Sequence, residues 1–305
     1  MPKVAANGVH LHYESRGKGE PLVLVMGVGA QLLYWPGGFC NQLAARGFEI
    51  ICFDNRDVGL SDKCQGARVP PFWSMVARAA LGQPIDAPYT LADMADDTAG
   101  LIKALGHERA HVVGASMGGM IAQTLAIRHP DRLFTMTSIM SHPGDRRFMA
   151  GQPKALRVLL GKPPRNREEA ADRAEEFYGA VNGEHFPLDV DMVRARSARA
   201  FDRCFYPAGF ARHMAAILAS GSRTAALHHV TVPSLVIHGS DDPLIRPAGG
   251  RATARAIPGA RLEIIDGMGH ELPEGAWTQV IDAIVGHAEA AGFRRSAGNT
   301  SAPSV

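Results

Sequence analysis

Residues 110–129 read AHVVGASMGGMIAQTLAIRH, and the centre of that stretch decides the architecture. Ala110–Gly114 is a short, mainly apolar run of the kind a strand covered on both faces carries. Residues 117–129 have the apolar spacing of a helix. Between them stands Gly114-Ala115-Ser116-Met117-Gly118, which leaves room only for a sharp turn. A residue at the apex of such a turn is held in a strained backbone conformation, and side chains at 114 and 118 would meet neighbouring backbone. Glycine has no Cβ to collide there. The hydroxyl of Ser116 is thereby lifted to the C-terminal edge of a sheet, at the start of a helix, the setting a nucleophilic serine needs. The competing interpretation is an ordinary glycine-rich strand-to-helix turn.

The pattern around this turn repeats. Residues 9–15 alternate as a half-buried strand does. Continuous apolar runs follow at 22–26, 48–53, 109–114, 133–140, 233–238 and 261–265, and helical stretches at 37–46, 91–105, 117–129, 247–257 and 274–290. Strands alternating with helices predict an α/β fold with a mostly parallel central sheet flanked by helices. The rhythm breaks from 142 to 225, where Arg- and Ala-rich helical patterning replaces strands. That segment holds 14 Lys and Arg against 10 Asp and Glu, a net of +4. It is read as a helical cap with a solvated surface, inserted between two parts of one core, 1–141 and 226–292. Residues 293–305 (FRRSAGNTSAPSV) lack hydrophobic pattern past their first residue and are expected to form a disordered tail.

A serine hydroxyl needs a base to take its proton, and thirteen histidines are available. His10, His12 and His111 fall within strands, His129 ends a helix, and His228 and His229 precede a strand. His270, in Gly267-Met268-Gly269-His270, follows the run 261–265 and opens on the same edge as Ser116, so it is the candidate base. The imidazole in turn needs a carboxylate to fix its tautomer. Gly239-Ser240-Asp241-Asp242-Pro243 follows the strand at 233–238. Asp242 is chosen over Asp241 because the residue before a proline is held extended. Two backbone amides are expected to face a developing oxyanion. One belongs to Met117, and the other to Val28 in Met26-Gly27-Val28-Gly29. Gly27-x-Gly29 also resembles the start of a dinucleotide fingerprint, but position 32 is Leu and Trp35-Pro36 interrupts the next turn, so no cofactor is expected.

Composition excludes several classes. The chain has 46% hydrophobic and 20% charged residues with a formal net charge of +2, and no basic stripe of the kind a nucleic-acid surface carries. No apolar run is long enough for a membrane span, and no secretory h-region follows Lys3. Cys40, Cys52, Cys64 and Cys204 match no zinc spacing. The expectation is a cytoplasmic protein with reduced thiols, no metal and no partner beyond a small molecule, unless a second copy makes a homodimer.

Four motifs in order, MGVG at 26–29, Asp54-Asn55-Arg56-Asp57-Val58-Gly59-Leu60-Ser61, GASMG at 114–118, and SDDP (240–243) with GMGH (267–270), resemble the α/β-hydrolase superfamily in its capped esterase and C–C-hydrolase-like branch. The order Ser, Asp, His along the chain is the order that fold uses. Met-Gly at the oxyanion loop, where many members carry His-Gly, is shared with the anthracycline (aclacinomycin) methylesterases. Asp57 stands where the family usually has glycine and is expected to be structural. The resemblance implies a Ser116-His270-Asp242 triad that hydrolyses carboxylic esters of apolar substrates. Trp35 and Phe148 are the expected substrate contacts, and Phe72, Trp73 and Met75 add to the apolar surface nearby. Serine at the elbow disfavours dehalogenase or epoxide chemistry, which uses aspartate there. Carbon–carbon bond hydrolysis, cofactor-free perhydrolase or haloperoxidase activity, and a ligand-binding receptor on the same fold are the alternatives.

Overall fold

The computed structural model describes residues 2–294. Eight strands form one sheet: β1 (Lys3–Ala6), β2 (Val9–Arg16), β3 (Glu20–Val25), β4 (Phe48–Phe53), β5 (Ala110–Ala115), β6 (Leu133–Ile139), β7 (Ser234–Gly239) and β8 (Arg261–Ile265). Their order is β1-β2-β4-β3-β5-β6-β7-β8. β2 runs antiparallel to β1 and β4, and every pair from β4 through β8 is parallel. Parallel neighbours require crossovers, and the crossover helices cover both faces.

The helices are α1 (Gly37–Ala45), α2 (Phe72–Leu81), α3 (Leu91–Ala104), α4 (Met117–Arg128), α5 (Pro153–Leu159), α6 (Arg167–Val181), α7 (Val190–Arg203), α8 (Pro207–Ser220), α9 (Thr224–Leu227), α10 (Pro247–Ala256) and α11 (Trp277–Ala290). Strand alternation divides the core between them. Val23 and Val25 of β3 join the layer under α3 and α4, whereas Leu22 and Leu24 join the layer under α1 and α11. Successive strand residues point to opposite faces, so a run such as LVLV must be apolar throughout to serve two layers.

Helices α5–α9 lie between β6 and β7, as the helical insertion predicts. Two elements were not expected from pattern. β1 has four residues, too few to show a period. α2 lies between Pro71 and Gly82, where Gly82 adopts the left-handed conformation (φ +71°) that ends many helices. One expectation is corrected. Phe293, placed in a disordered tail, is buried and stacks on Phe48 with centroids 4.1 Å apart, because the layer beneath α11 leaves a slot that an aromatic ring fills. The remainder of that expected tail, 295–305, lies outside the described residues. Among the described residues no helix is long and apolar enough to cross a membrane. The four cysteines are free thiols.

Candidate active site

Ser116 joins β5 to α4 with φ +57° and ψ −118°. A non-glycine residue rarely adopts positive φ, and such strain persists only where its surroundings enforce it. The flanking glycines are the enforcement. A Cβ on Gly114 would lie 2.0 Å from the Gly118 carbonyl oxygen, and one on Gly118 would lie 2.0 Å from the Val25 carbonyl oxygen. The backbone crowds in on both sides, as the motif predicts.

The three residues picked from the sequence converge. His270 Nε2 lies 3.1 Å from Ser116 Oγ, and its Nδ1 lies 2.7 Å from Asp242 Oδ2. An ionised carboxylate only accepts, so the proton sits on Nδ1 and donates to Asp242. That leaves Nε2 free to accept the serine hydroxyl. Asp242 is buried, and its other oxygen, Oδ1, accepts the amides of Leu244 and Ile245 at 2.9 Å each. Burial works against its ionisation, but the charge of His270 and hydrogen bonds from His238 and His270 outweigh it and hold the carboxyl down at about 2. Asp241 is exposed and accepts the Ser240 hydroxyl at 2.8 Å, so only the second aspartate faces the histidine. Other histidines are engaged elsewhere: His12 with the Pro2 carbonyl, His111 with Thr135 and Glu20, and His129 with Asp96.

Residues 26–29 pass directly beside the serine. A Cβ on Gly27 would lie 3.3 Å from Ser116 Cβ and 3.7 Å from its Oγ. The Met26 carbonyl accepts from Asn55 Nδ2 at 3.0 Å. Among the described residues the N–H groups of Val28 and Met117 have no protein acceptor, so both remain available to a ligand.

Ser116 and His270 open into a cavity of about 1260 Å³ lined mostly by apolar and aromatic side chains from core and insertion together. Trp35 lines it, stacked on Phe39 with centroids 6.0 Å apart. Phe72 and Met75 line it as well, while Trp73 is 75% exposed and does not. Phe148, expected to contact substrate, is corrected. It sits in a 3-10 turn, Arg146–Phe148, outside the cavity lining, under the Arg147 guanidinium 4.7 Å from its ring. Arg146, which donates to the Ala80 carbonyl at 2.8 Å, fastens that turn to the end of α2, which holds it outside the lining.

Several site residues escaped the sequence reading. His238 is buried with Nε2 3.4 Å from Asp242 Oδ2, and donates to the Ile245 carbonyl at 2.7 Å. Glu271 and Arg196 line the cavity. The Arg196 guanidinium lies 5.1 Å from the Tyr34 ring and 5.0 Å from the Tyr178 ring. Burial pushes Glu271 up to about 7 despite the nearby Arg196 charge. His213, on α8, reaches the loop 26–29. The companions of Arg196 and His213 lie far away in sequence, so no local spacing marks them; His238 lies only four positions before Asp242, but inside a buried strand. Among the described residues no cluster of three or more His, Cys, Asp or Glu could hold a metal ion.

Known proteins share this layout. A family model described as the alpha/beta hydrolase fold matches residues 20–275. Rhodomycin D methylesterase of Streptomyces peucetius is 31% identical over 301 residues, covering 91% of this chain and 95% of that one. A putative non-heme bromoperoxidase of Mycobacterium tuberculosis is 25% identical, covering 90% and 97%. Among solved structures, a meta-cleavage product hydrolase from Pseudomonas fluorescens superposes with TM-score 0.76 at 18% identity over 95% of this chain and 98% of that one. An esterase from Thermogutta terrifontis superposes with TM-score 0.70 at 24% identity over 96% and 99%. Those two likenesses concern the fold alone. A strained serine between β5 and α4, a sheet that is parallel from β4 to β8, and a family match reaching from β3 to the start of the last helix all lead to one assignment: the chain belongs to the α/β-hydrolase family.

Proposed function

We propose that the protein is a serine esterase that cleaves carboxylic esters of apolar substrates through an acyl-enzyme. The reading rests on one observation: an unbroken hydrogen-bonded line from Ser116 through His270 to Asp242, at 3.1 and 2.7 Å, opening into a large apolar cavity. Ser116 Oγ attacks the ester carbonyl carbon while His270 Nε2 takes the hydroxyl proton. The carbonyl oxygen gains the negative charge, and the amides of Val28 and Met117 donate to it. Asp242 stabilises the imidazolium. As the tetrahedral intermediate collapses, His270 passes its proton to the departing alkoxide and an alcohol leaves. Water then enters, gives its proton to His270 and attacks the acyl carbon. The acid departs and Ser116 recovers its proton. The methylesterase name of a relative that covers most of the chain supports ester cleavage.

Ser116→Ala is expected to abolish hydrolysis of p-nitrophenyl esters, a loss of roughly 10³-fold or more, with an unchanged melting curve. Residual turnover within about tenfold of wild type would remove Ser116 from the mechanism. A parallel panel of esters and β-diketones separates the alternatives: inert esters with a cleaved diketone indicate carbon–carbon hydrolysis. Folded wild-type protein that fails to react with a fluorophosphonate indicates a receptor.

A further inference from the structure

The insertion reaches into the machinery through His213 of α8, which is fully buried. The Gly29 amide donates to its Nδ1 at 3.1 Å, so that nitrogen carries no proton. The proton therefore sits on Nε2, which lies 2.8 Å from the Arg56 carbonyl oxygen and donates to it. Burial lowers the basicity of the ring to about 4, so it stays neutral near neutral pH and keeps its acceptor toward Gly29.

The seating of α8 is close. Gly29 has φ +66°, and a Cβ there would lie 2.9 Å from the ring of Phe210, on the same helix. A Cβ on Gly209 would lie 2.0 Å from the Asp57 carbonyl oxygen, and Arg212 pairs with Asp57 at 3.0 Å. Helix, oxyanion loop and the turn at 54–61 therefore pack as one unit. The Gly29 N–H belongs to the peptide between Val28 and Gly29. The Val28 N–H belongs to the preceding peptide, joined to it only through the Cα of Val28 and two dihedrals. Fixing the second plane restricts the first, which runs beside Ser116.

We infer that His213 is a positioning residue that aims the Val28 amide at the oxyanion by accepting a hydrogen bond from the next amide in the chain. This rests on the catalytic reading given above. It makes the insertion a structural part of the oxyanion hole as well as a wall of the cavity. A ring with its proton on Nδ1 would set one N–H against another and release the loop.

Two substitutions separate this role from mere support. His213→Asn places an amide oxygen near the position of Nδ1 and keeps an acceptor for Gly29. His213→Gln carries its amide nitrogen toward the position of Nε2 and keeps a donor for Arg56, leaving Gly29 without its acceptor. Each leaves one buried backbone group unpaired, so both are expected to lower Tm to a similar extent. Their chemistry should differ. For H213Q, kcat for an ester and the rate of fluorophosphonate labelling should fall about tenfold or more with KM little changed, while H213N stays within about threefold of wild type. Equal kcat and labelling rates in two folded variants, or losses confined to KM and Tm, overturn the inference. If neither variant folds, NMR on the wild-type protein decides: an N–N coupling between the Gly29 amide and His213 Nδ1, kept after fluorophosphonate labelling, supports it, and absence of that coupling overturns it. A wild type that does not label at all refutes the esterase reading instead, so the two failures are distinguishable.

Discussion

At the scale of single residues, Glu271 follows the catalytic histidine candidate in sequence and lines the cavity. Its carboxyl shifts from the ordinary 4.5 to about 7, because burial penalises the charged form more than the Arg196 charge favours it. The folded protein thus holds a proton there between pH 4.5 and about 7 that the unfolded chain has released. Stability falls where the native state binds more protons than the unfolded one as pH rises, so Glu271 costs stability progressively across that window and by a constant amount above it. Glu271→Gln should therefore melt higher than wild type at about pH 8, with the difference closing below about pH 4.5. Equal melting temperatures at the higher pH would sink the account. Ser116, Asp242 and His270 were legible in the sequence because each follows its own strand in a recognisable turn. Glu271 and His213 were not, because their chemistry comes from surroundings that only folding supplies: burial for one, the Gly29 amide for the other.

At the scale of elements, the turn after β4 shows how one departure from a family pattern is accommodated. Asp57 has φ +66°, a conformation that favours glycine. Its carboxylate offsets that cost by accepting the Cys64 amide at 2.7 Å, Arg212 at 3.0 Å and the Tyr89 hydroxyl at 2.7 Å. Asp57 is fully buried and Arg212 nearly so. Asp57→Gly relaxes the backbone but strands a buried guanidinium, and removing one partner of a buried pair costs about 3 kcal/mol or more. Chemical denaturation should show that loss, and adding Arg212→Met should recover part of it. A glycine variant at least as stable as wild type would show that the backbone term dominates. The sequence identified the turn and its odd aspartate. It did not identify the arginine, 155 positions away.

At the scale of the whole molecule, the insertion helps to enclose the cavity and also braces the loops beneath it. The His270 amide donates to the Val181 carbonyl at the end of α6 at 2.8 Å, and a Cβ on Gly269 would lie 2.1 Å from that same oxygen. The loop at 267–270, like the loop at 26–29, is thus shaped against the insertion. A cavity of about 1260 Å³ far exceeds an acetate ester, and apolar burial is worth about 0.8 kcal/mol per methylene. On the esterase reading, KM should fall about threefold or more for each added methylene over the first few of an ester series, since that free energy is close to a fourfold change in affinity. A KM independent of chain length would mean that this space does not hold substrate.

What the sequence determined by itself was local or periodic: strands apolar on both faces, helices between them, and glycines where a strained turn admits no Cβ. The first and last of these sit within a few residues of their cause, and the repeated strand–helix order is enough to imply a layered sheet. Tertiary structure alone decided which insertion residues meet which loops, that Phe148 turns away while Phe293 packs in, and that a buried imidazole on α8 accepts from Gly29. Those contacts join residues as far apart as Phe48 and Phe293, and their energies depend on burial and hydrogen-bond direction, which arise only once the chain has closed around them.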